Sequence, residues 1–109
     1  MTSNEVAEVE NDQLRDYELV LIINPDAGEE AIEATLDSLN KYITGNDGTV
    51  SNTERWGKKK LAYPIKHFLE GHYVLTQFRM SPASGKQMEA NLEMSEDVLR
   101  HLLINLNAA

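Results

Sequence analysis

Hydrophobic and polar residues follow two different periods along the chain, and these periods predict its secondary structure. The aliphatic and β-branched run YELVLIINP, residues 17–25, stops at Asn24-Pro25 and predicts a buried, central strand. From Gly28 to about Thr44 the apolar residues recur at the spacing of one helical face, which predicts an α-helix. The residues of that face are Ile32, Leu36, Leu39 and Ile43.

The middle of the chain predicts one long hairpin. The residues GNDG at 45–48 are typical of a turn. The strand after this turn is predicted to reach Ile65, with a bulge at Trp56-Gly57. Because Pro64 cannot donate to a neighbouring strand, this second strand is predicted at an edge of the sheet. A loop around HFLEG, residues 67–71, then precedes a third strand at residues 72–80.

The last third of the chain predicts a second helix and a fourth strand. Ser81 is a typical helix-capping residue, and Pro82 suits the first position of a helix. This helix is predicted to end near Met94, with Met88 and Leu92 facing inward. Gly85 is expected to weaken that helix by about 1 kcal/mol relative to alanine. The apolar run VLRHLLINL, residues 98–106, predicts the last strand.

This order of elements is the split βαβ arrangement, βαββαβ, of the α+β class. Right-handed crossovers place both helices on one face of a four-stranded antiparallel sheet. The first and third strands are then central, the second and fourth lie at the edges, and the other face of the sheet is bare.

The ordered domain is predicted at residues 17–106, with a short tail at residues 107–109. Residues 1–16 hold five acids and no apolar run, so they are predicted to be a disordered acidic extension and not a signal peptide. The chain has no Cys, which excludes disulfides and cysteine-ligated zinc and suits the cytoplasm.

Charge is distributed unevenly along the chain. Formal net charge is -8, from 10 Lys and Arg against 18 Asp and Glu, yet five of the ten bases lie in residues 55–66 with no acid among them. The other 97 residues therefore carry 5 − 18 = −13. A local strip of this kind can hold a polyanion on an otherwise acidic protein. The five bases are Arg55, Lys58, Lys59, Lys60 and Lys66.

Strand geometry predicts how these lysines point. Because side chains alternate between faces, Lys58 and Lys60 should project to one side and Lys59 to the other, which suits contact with a phosphate backbone running along the edge. The alternative is that edge lysines only prevent strand-to-strand aggregation. Trp56 is expected to anchor the core or the bulge, and Tyr63 is expected to pack across the hairpin, with stacking on an unpaired base as the alternative for each.

Candidate catalytic and metal-binding residues do not converge in the sequence. His67, His72 and His101 fall in the hairpin loop, the third strand and the last strand, without a paired carboxylate or a phosphate-cradling glycine loop. We therefore expect surface histidines, no enzyme activity, no bound metal and no cofactor. A small-ligand regulatory module and a protein-binding adaptor remain as alternatives, because the fold hosts many functions.

The segment WGKKKLAYPI, residues 56–65, resembles the signature of the bacterial ribosomal protein S six (S6) family. The first strand, the hairpin and the closing SEDVLRHLLINL resemble the same family in one register, over roughly residues 17–106. The acidic extension and Gly85 are departures from the family pattern, and neither affects the hairpin.

The resemblance implies a ferredoxin-like domain that binds the central domain of small-subunit ribosomal RNA together with ribosomal protein S eighteen, without catalysis. It implies that Arg55, Lys58, Lys59 and Lys60 contact phosphates. It also implies that Leu61, Tyr63 and Ile65 form a partner surface.

Overall fold

Residues 14–107 are described by a computed structural model, in which six elements follow the predicted order. The strands are β1 (Arg15–Ile23), β2 (Thr49–Ile65), β3 (Phe68–Met80) and β4 (Val98–Asn105). The helices are α1 (Glu29–Gly45) and α2 (Pro82–Glu93). No helix within the described residues is long and apolar enough to cross a membrane.

The sheet is antiparallel throughout, in the order β2-β3-β1-β4, which confirms the predicted central and edge strands. The alternate residues Leu19, Leu21 and Ile23 of β1 are fully buried, as is Val74 of β3 opposite Leu21. This alternation shows that one sheet face forms the core, since successive side chains on a strand point to opposite faces.

Both helices cover that core face. Ile32, Leu39 and Ile43 of α1 are buried as the helical periodicity predicted, and Leu36 packs against the core while partly exposed. Met88 and Leu92 of α2 are buried, again as predicted.

Helix α2 begins and ends close to its predicted limits. The side chain of Ser81 accepts a hydrogen bond from the backbone N–H of Ser84 at 3.3 Å, and Pro82 is the first helical residue. Gly85 is buried, and a Cβ placed there would meet Tyr17 at 3.7 Å and Leu103 at 3.8 Å, which are ordinary contacts.

The hairpin turn differs from the prediction. Lys66 and His67 have φ values of 49° and 74°, and Ile65 pairs directly with Phe68. Two central residues with positive φ are the mark of a tight type I′ turn, whose twist matches that of the flanking strands. The loop predicted at residues 67–71 is therefore wrong, because β3 begins four residues before His72.

The domain limits also move slightly. β1 begins at Arg15, so Arg15 and Asp16 belong to the sheet, and the Asp16 carboxylate pairs across the strands with Arg79 at 2.9 Å. β4 ends at Asn105. The remainder of the predicted acidic extension, residues 1–13, lies outside the described residues, as do residues 108 and 109 of the predicted tail.

Candidate nucleic-acid interface

Lys58, Lys59 and Lys60, called the lysine strip from here on, lie on the part of the β2–β3 hairpin that extends beyond the centre of the sheet. The pairing of β1 with β3 ends where Ile23 meets His72, and Lys58 pairs with the same His72. Lys59 and Lys60 pair with Gly71 and Glu70, which have no β1 neighbour. From this point no third strand of the described residues pairs with the hairpin, and Lys58, Lys59 and Lys60 are exposed.

A bulge in β2 sets the direction of each side chain in the strip. The register shifts between Arg55 and Gly57, so that Trp56 is the extra residue, and Gly57 has a φ of 82°. This left-handed conformation favours glycine and is the usual geometry of a glycine-containing bulge. The predicted bulge at Trp56-Gly57 is confirmed.

Beyond the bulge the three lysines alternate as predicted. Lys58 lies opposite His72, which has the same parity as the buried Val74 and so points to the helix-covered face. Lys58 and Lys60 line a shallow pocket of about 370 Å³ at the hairpin end, together with Asp26 and His67. Lys59 points to the open face, where its ammonium lies 5.1 Å from the centre of the Trp56 ring.

The lysines and Arg55 differ in how the protein itself satisfies their charge. Within residues 14–107, the ion pairs are Lys41–Asp37, Arg55–Glu29, Arg79–Asp16 and His101–Glu89, and none includes the three lysines of the strip. All three lysines are exposed.

Arg55 is bound by a carboxylate of the protein's own helix. Its guanidinium donates to both carboxylate oxygens of Glu29 at the start of α1. The hydrogen bond from Arg55 lowers the pKa of Glu29, and the same contact raises the pKa of Arg55. The predicted phosphate contact at Arg55 therefore has an intramolecular competitor that the sequence did not indicate.

Trp56 does not enter the core; of the two expected places, the core and the bulge, it takes the bulge. Its side chain is 44% exposed on the open face, and its Nε1–H donates to the Glu54 carboxylate at 3.0 Å. That hydrogen bond, followed by one from Asn52, lowers the pKa of Glu54, so its carboxylate stays charged at neutral pH. The indole thus lies at the bulge with a fixed edge and a solvent-accessible ring.

The three residues proposed as a partner surface differ in exposure. Tyr63 is 62% exposed, whereas Leu61 and Ile65 are half-buried. The Tyr63 hydroxyl accepts a hydrogen bond from Arg100 of β4 at 3.3 Å, so the tip of its side chain reaches toward β4. Packing of the Tyr63 ring across the hairpin stays a prediction.

The open face also carries apolar residues of β4 that we did not single out in the sequence. Leu102 and Ile104 are 57% and 38% exposed, and they pair with Val20 and Glu18, which point away from the helices. The available signal was the run of consecutive apolar residues at 102–104 of β4. An edge strand that is apolar on both faces leaves one face without cover when all helices lie on the other.

The histidines have separate surroundings. His72 is half-buried and its Nε2 lies 3.4 Å from Nη2 of Arg55, while His101 faces Glu89 in α2 at 3.5 Å. Burial, followed by the charge of Arg55, lowers the pKa of His72. Within residues 14–107, no three His, Asp or Glu side chains are grouped to hold a metal ion.

A separate cavity of about 540 Å³ lies between α1 and α2 and is the concave feature that a small-ligand module would use. It is lined mainly by small and apolar side chains, and no Lys or Arg of the described residues contributes to its wall. Its position on the helix side separates it from the lysine strip and from the open face.

Comparison with known proteins gives consistent matches. The sequence profile described as "Ribosomal protein S6" matches residues 16–105. The small ribosomal subunit protein bS6 of Dehalococcoides mccartyi strain 195 is 39% identical over 107 residues, which cover 98% of each chain. The bS6 protein of Clostridioides difficile strain 630 is 41% identical over 91 residues, covering 84% of this chain and 98% of that protein.

A solved structure agrees with the sequence matches. The crystal structure of 30S ribosomal protein S6 from Thermotoga maritima superposes with a TM-score of 0.79 at 30% identity. The match covers 85% of this chain and 88% of the Thermotoga maritima chain. The four-stranded antiparallel sheet and two helices are therefore shared across the full domain.

Proposed function

Because this chain belongs to the ribosomal protein S6 family, whose members are proteins of the small ribosomal subunit and not enzymes, we propose that it binds the central domain of small-subunit ribosomal RNA together with ribosomal protein S eighteen. Family membership places the protein on the ribosome in the cytoplasm, as predicted from the sequence. We propose three things beyond family membership: the contact with RNA, the identity of the protein partner, and the residues that bind each of them.

The observation that carries the proposal is the state of the lysine strip. Lys58, Lys59 and Lys60 are exposed on a two-stranded ribbon and have no carboxylate partner among the described residues. Such lysines present flexible point charges, which suit phosphate oxygens better than a directional base edge. Their role is to position the protein along an RNA backbone.

The attraction between the lysines and phosphates is too weak and too unspecific to select one RNA site. Specificity must therefore come from other contacts. Four cations, the three lysines and Lys66, correspond to a slope of log affinity against log salt of roughly -3 to -4. That is enough for salt-sensitive attachment but provides no choice of sequence. A partner that binds beside the strip supplies the missing contacts.

We place the binding site for that partner on the open face of the sheet, because apolar side chains are exposed there. Leu102 and Ile104 expose apolar surface there, and the exposed Tyr63 of the hairpin reaches Arg100 of the same strand. Burial of such surface on association is favourable, and the acidic remainder of the chain attracts a basic protein. The same acidic remainder opposes close approach of RNA at other faces.

Reconstitution tests the proposal directly. The full chain is mixed with ribosomal protein S eighteen, with a central-domain ribosomal RNA fragment, or with both, and complexes are separated by size. We expect a ternary complex that is more resistant to salt than either binary one. Formation of a protein–protein complex that never retains RNA would instead support the adaptor alternative and contradict the proposal.

A further inference from the structure

We propose that Trp56 is a stacking platform for one unpaired RNA base, and that Lys59 takes a phosphate next to that base. This inference rests on the proposed RNA binding and adds a contact with a defined chemistry. It concerns the open face of β2, whereas Lys58 and Lys60 act from the other side of the same strand.

The bulge presents the indole instead of burying it. Trp56 is the extra residue of β2, and its side chain is 44% exposed although it is the only Trp of the chain. The exposed face of this aromatic ring is apolar, so its burial under a flat partner is energetically favourable. Bases provide such a partner whatever their identity, because each has a π-face.

The ring is held in place before any ligand binds. The hydrogen bond of 3.0 Å from Nε1–H to Glu54 satisfies the polar edge and limits rotation of the indole. Glu54 is itself bound by the side-chain amide of Asn52 at 2.9 Å. A ring fixed in this way loses little conformational freedom when a base stacks on it.

The Lys59 ammonium lies over the face of the Trp56 ring, where a stacked base would lie. It lies 5.1 Å from the ring centre, which is a cation–π contact in an exposed setting. Stacking of a base on the same ring is the stronger interaction, so a base can displace the ammonium. The displaced cation remains beside the ring, where the phosphate of the stacked nucleotide, or of its neighbour, lies.

Charged neighbours favour RNA over an apolar protein surface as the partner of Trp56. On the open face the neighbours of the ring are charged: Glu54 accepts from its Nε1–H, and the Lys59 ammonium lies over its face. The exposed Leu102 and Ile104 belong to the opposite edge strand, separated from β2 by β3 and β1, or about 14 Å at the usual strand spacing.

Two substitutions of Trp56 separate stacking from simple packing. Trp56→Phe retains a π-face, whereas Trp56→Leu retains apolar volume without one. Binding of the full chain, with its partner present, to the central-domain RNA fragment is measured for both. We expect Trp56→Leu to weaken binding about tenfold and Trp56→Phe to weaken it by less than about threefold. Circular dichroism of each variant verifies that the domain is folded.

Fluorescence provides a second measurement, because the chain has one Trp. We expect Trp56 emission to be quenched saturably by the RNA fragment, after subtraction of the signal from the partner protein. Emission that changes only on addition of the partner protein, or equal losses for Trp56→Phe and Trp56→Leu, overturns the stacking role. If RNA is still retained in that case, the proposed function stands; if wild-type protein never retains RNA, both fail.

Discussion

Glu29, the first residue of α1, holds the guanidinium of Arg55 in β2 with both of its carboxylate oxygens. This contact joins the helix layer to the edge strand that carries the lysine strip. It also means that the cation closest to the bulge is already paired, so that phosphate must compete with Glu29 for Arg55.

Removing the competing carboxylate makes Arg55 available to RNA. In Glu29→Gln, we expect affinity for the RNA fragment to rise and the slope of log affinity against log salt to become steeper by about 0.7–0.9, the value for one additional phosphate contact. The measurement is RNA binding over a series of salt concentrations.

Glu30→Gln is the matched control for that change. It removes the same charge from the adjacent helical position, and Glu30 forms no ion pair among the described residues. Equal effects of the two substitutions would show that only net charge matters and that the contact with Arg55 does not.

Stability should fall in mild acid because of His72. Burial and the charge of Arg55 lower the pKa of His72 below its usual value of 6.5. The folded state therefore prefers neutral His72, and the unfolded state takes up the proton first as pH falls below about 6.5. We expect the free energy of unfolding to decrease from there until the pH passes the lowered folded pKa.

Urea unfolding between pH 7.5 and pH 5 measures this dependence. His72→Gln cannot titrate and should flatten the profile over that range. A profile as steep in His72→Gln as in the wild-type protein would assign the dependence to other groups.

Helix α2 can be stabilised at Gly85. In Gly85→Ala the new Cβ enters ordinary contact with Tyr17 and Leu103, and alanine has the higher helix propensity. We expect an increase in stability of about 0.5–1 kcal/mol, measured by urea or thermal unfolding.

Gly48→Ala is expected to lower the stability that Gly85→Ala raises, in the same unfolding measurement. A Cβ at Gly48 would lie 2.6 Å from the backbone oxygen of Arg79 and 2.8 Å from that of Ile43. Because backbone atoms cannot move aside, we expect a loss of about 1–3 kcal/mol. Similar effects of the two alanines would contradict this account of packing.

The apolar surface of β4 should contribute to partner binding. Leu102 is 57% exposed, so Leu102→Gln costs the isolated domain little, while it removes apolar area from the proposed interface. We expect binding to ribosomal protein S eighteen to weaken about fivefold, measured by calorimetry.

Met94→Gln serves as the control for surface hydrophobicity. Met94 is 81% exposed but caps the end of α2 on the helix side of the domain. Equal weakening by both substitutions would place the partner elsewhere than on the open face.

The periodicity of apolar residues was sufficient to predict the fold. The helical stripe of α1, the cap at Ser81 and the edge position implied by Pro64 all correspond to observed features. These features are local, or they follow from the handedness of crossovers, and a sequence therefore contains them.

The details that were missed depend on distant parts of the chain or on unusual turn residues. The turn at Lys66 and His67 uses positive φ without Gly or Asn, so its composition did not indicate it. The contact of Arg55 with Glu29 joins residues 26 positions apart, and the exposure of Trp56 depends on what the helices leave uncovered. Neither could follow from local pattern.

The salt dependence of RNA binding by the triple variant Lys58→Ala, Lys59→Ala, Lys60→Ala tests the central claim most directly. Binding to the central-domain RNA fragment is measured with the partner protein present, beside a Lys41→Ala, Lys86→Ala control whose changes lie on the helices. We predict weaker binding and a slope reduced by about 2–3 for the triple variant, with little change in the control. Affinity and slope equal to those of the wild-type protein would contradict the claim that this strip binds the RNA.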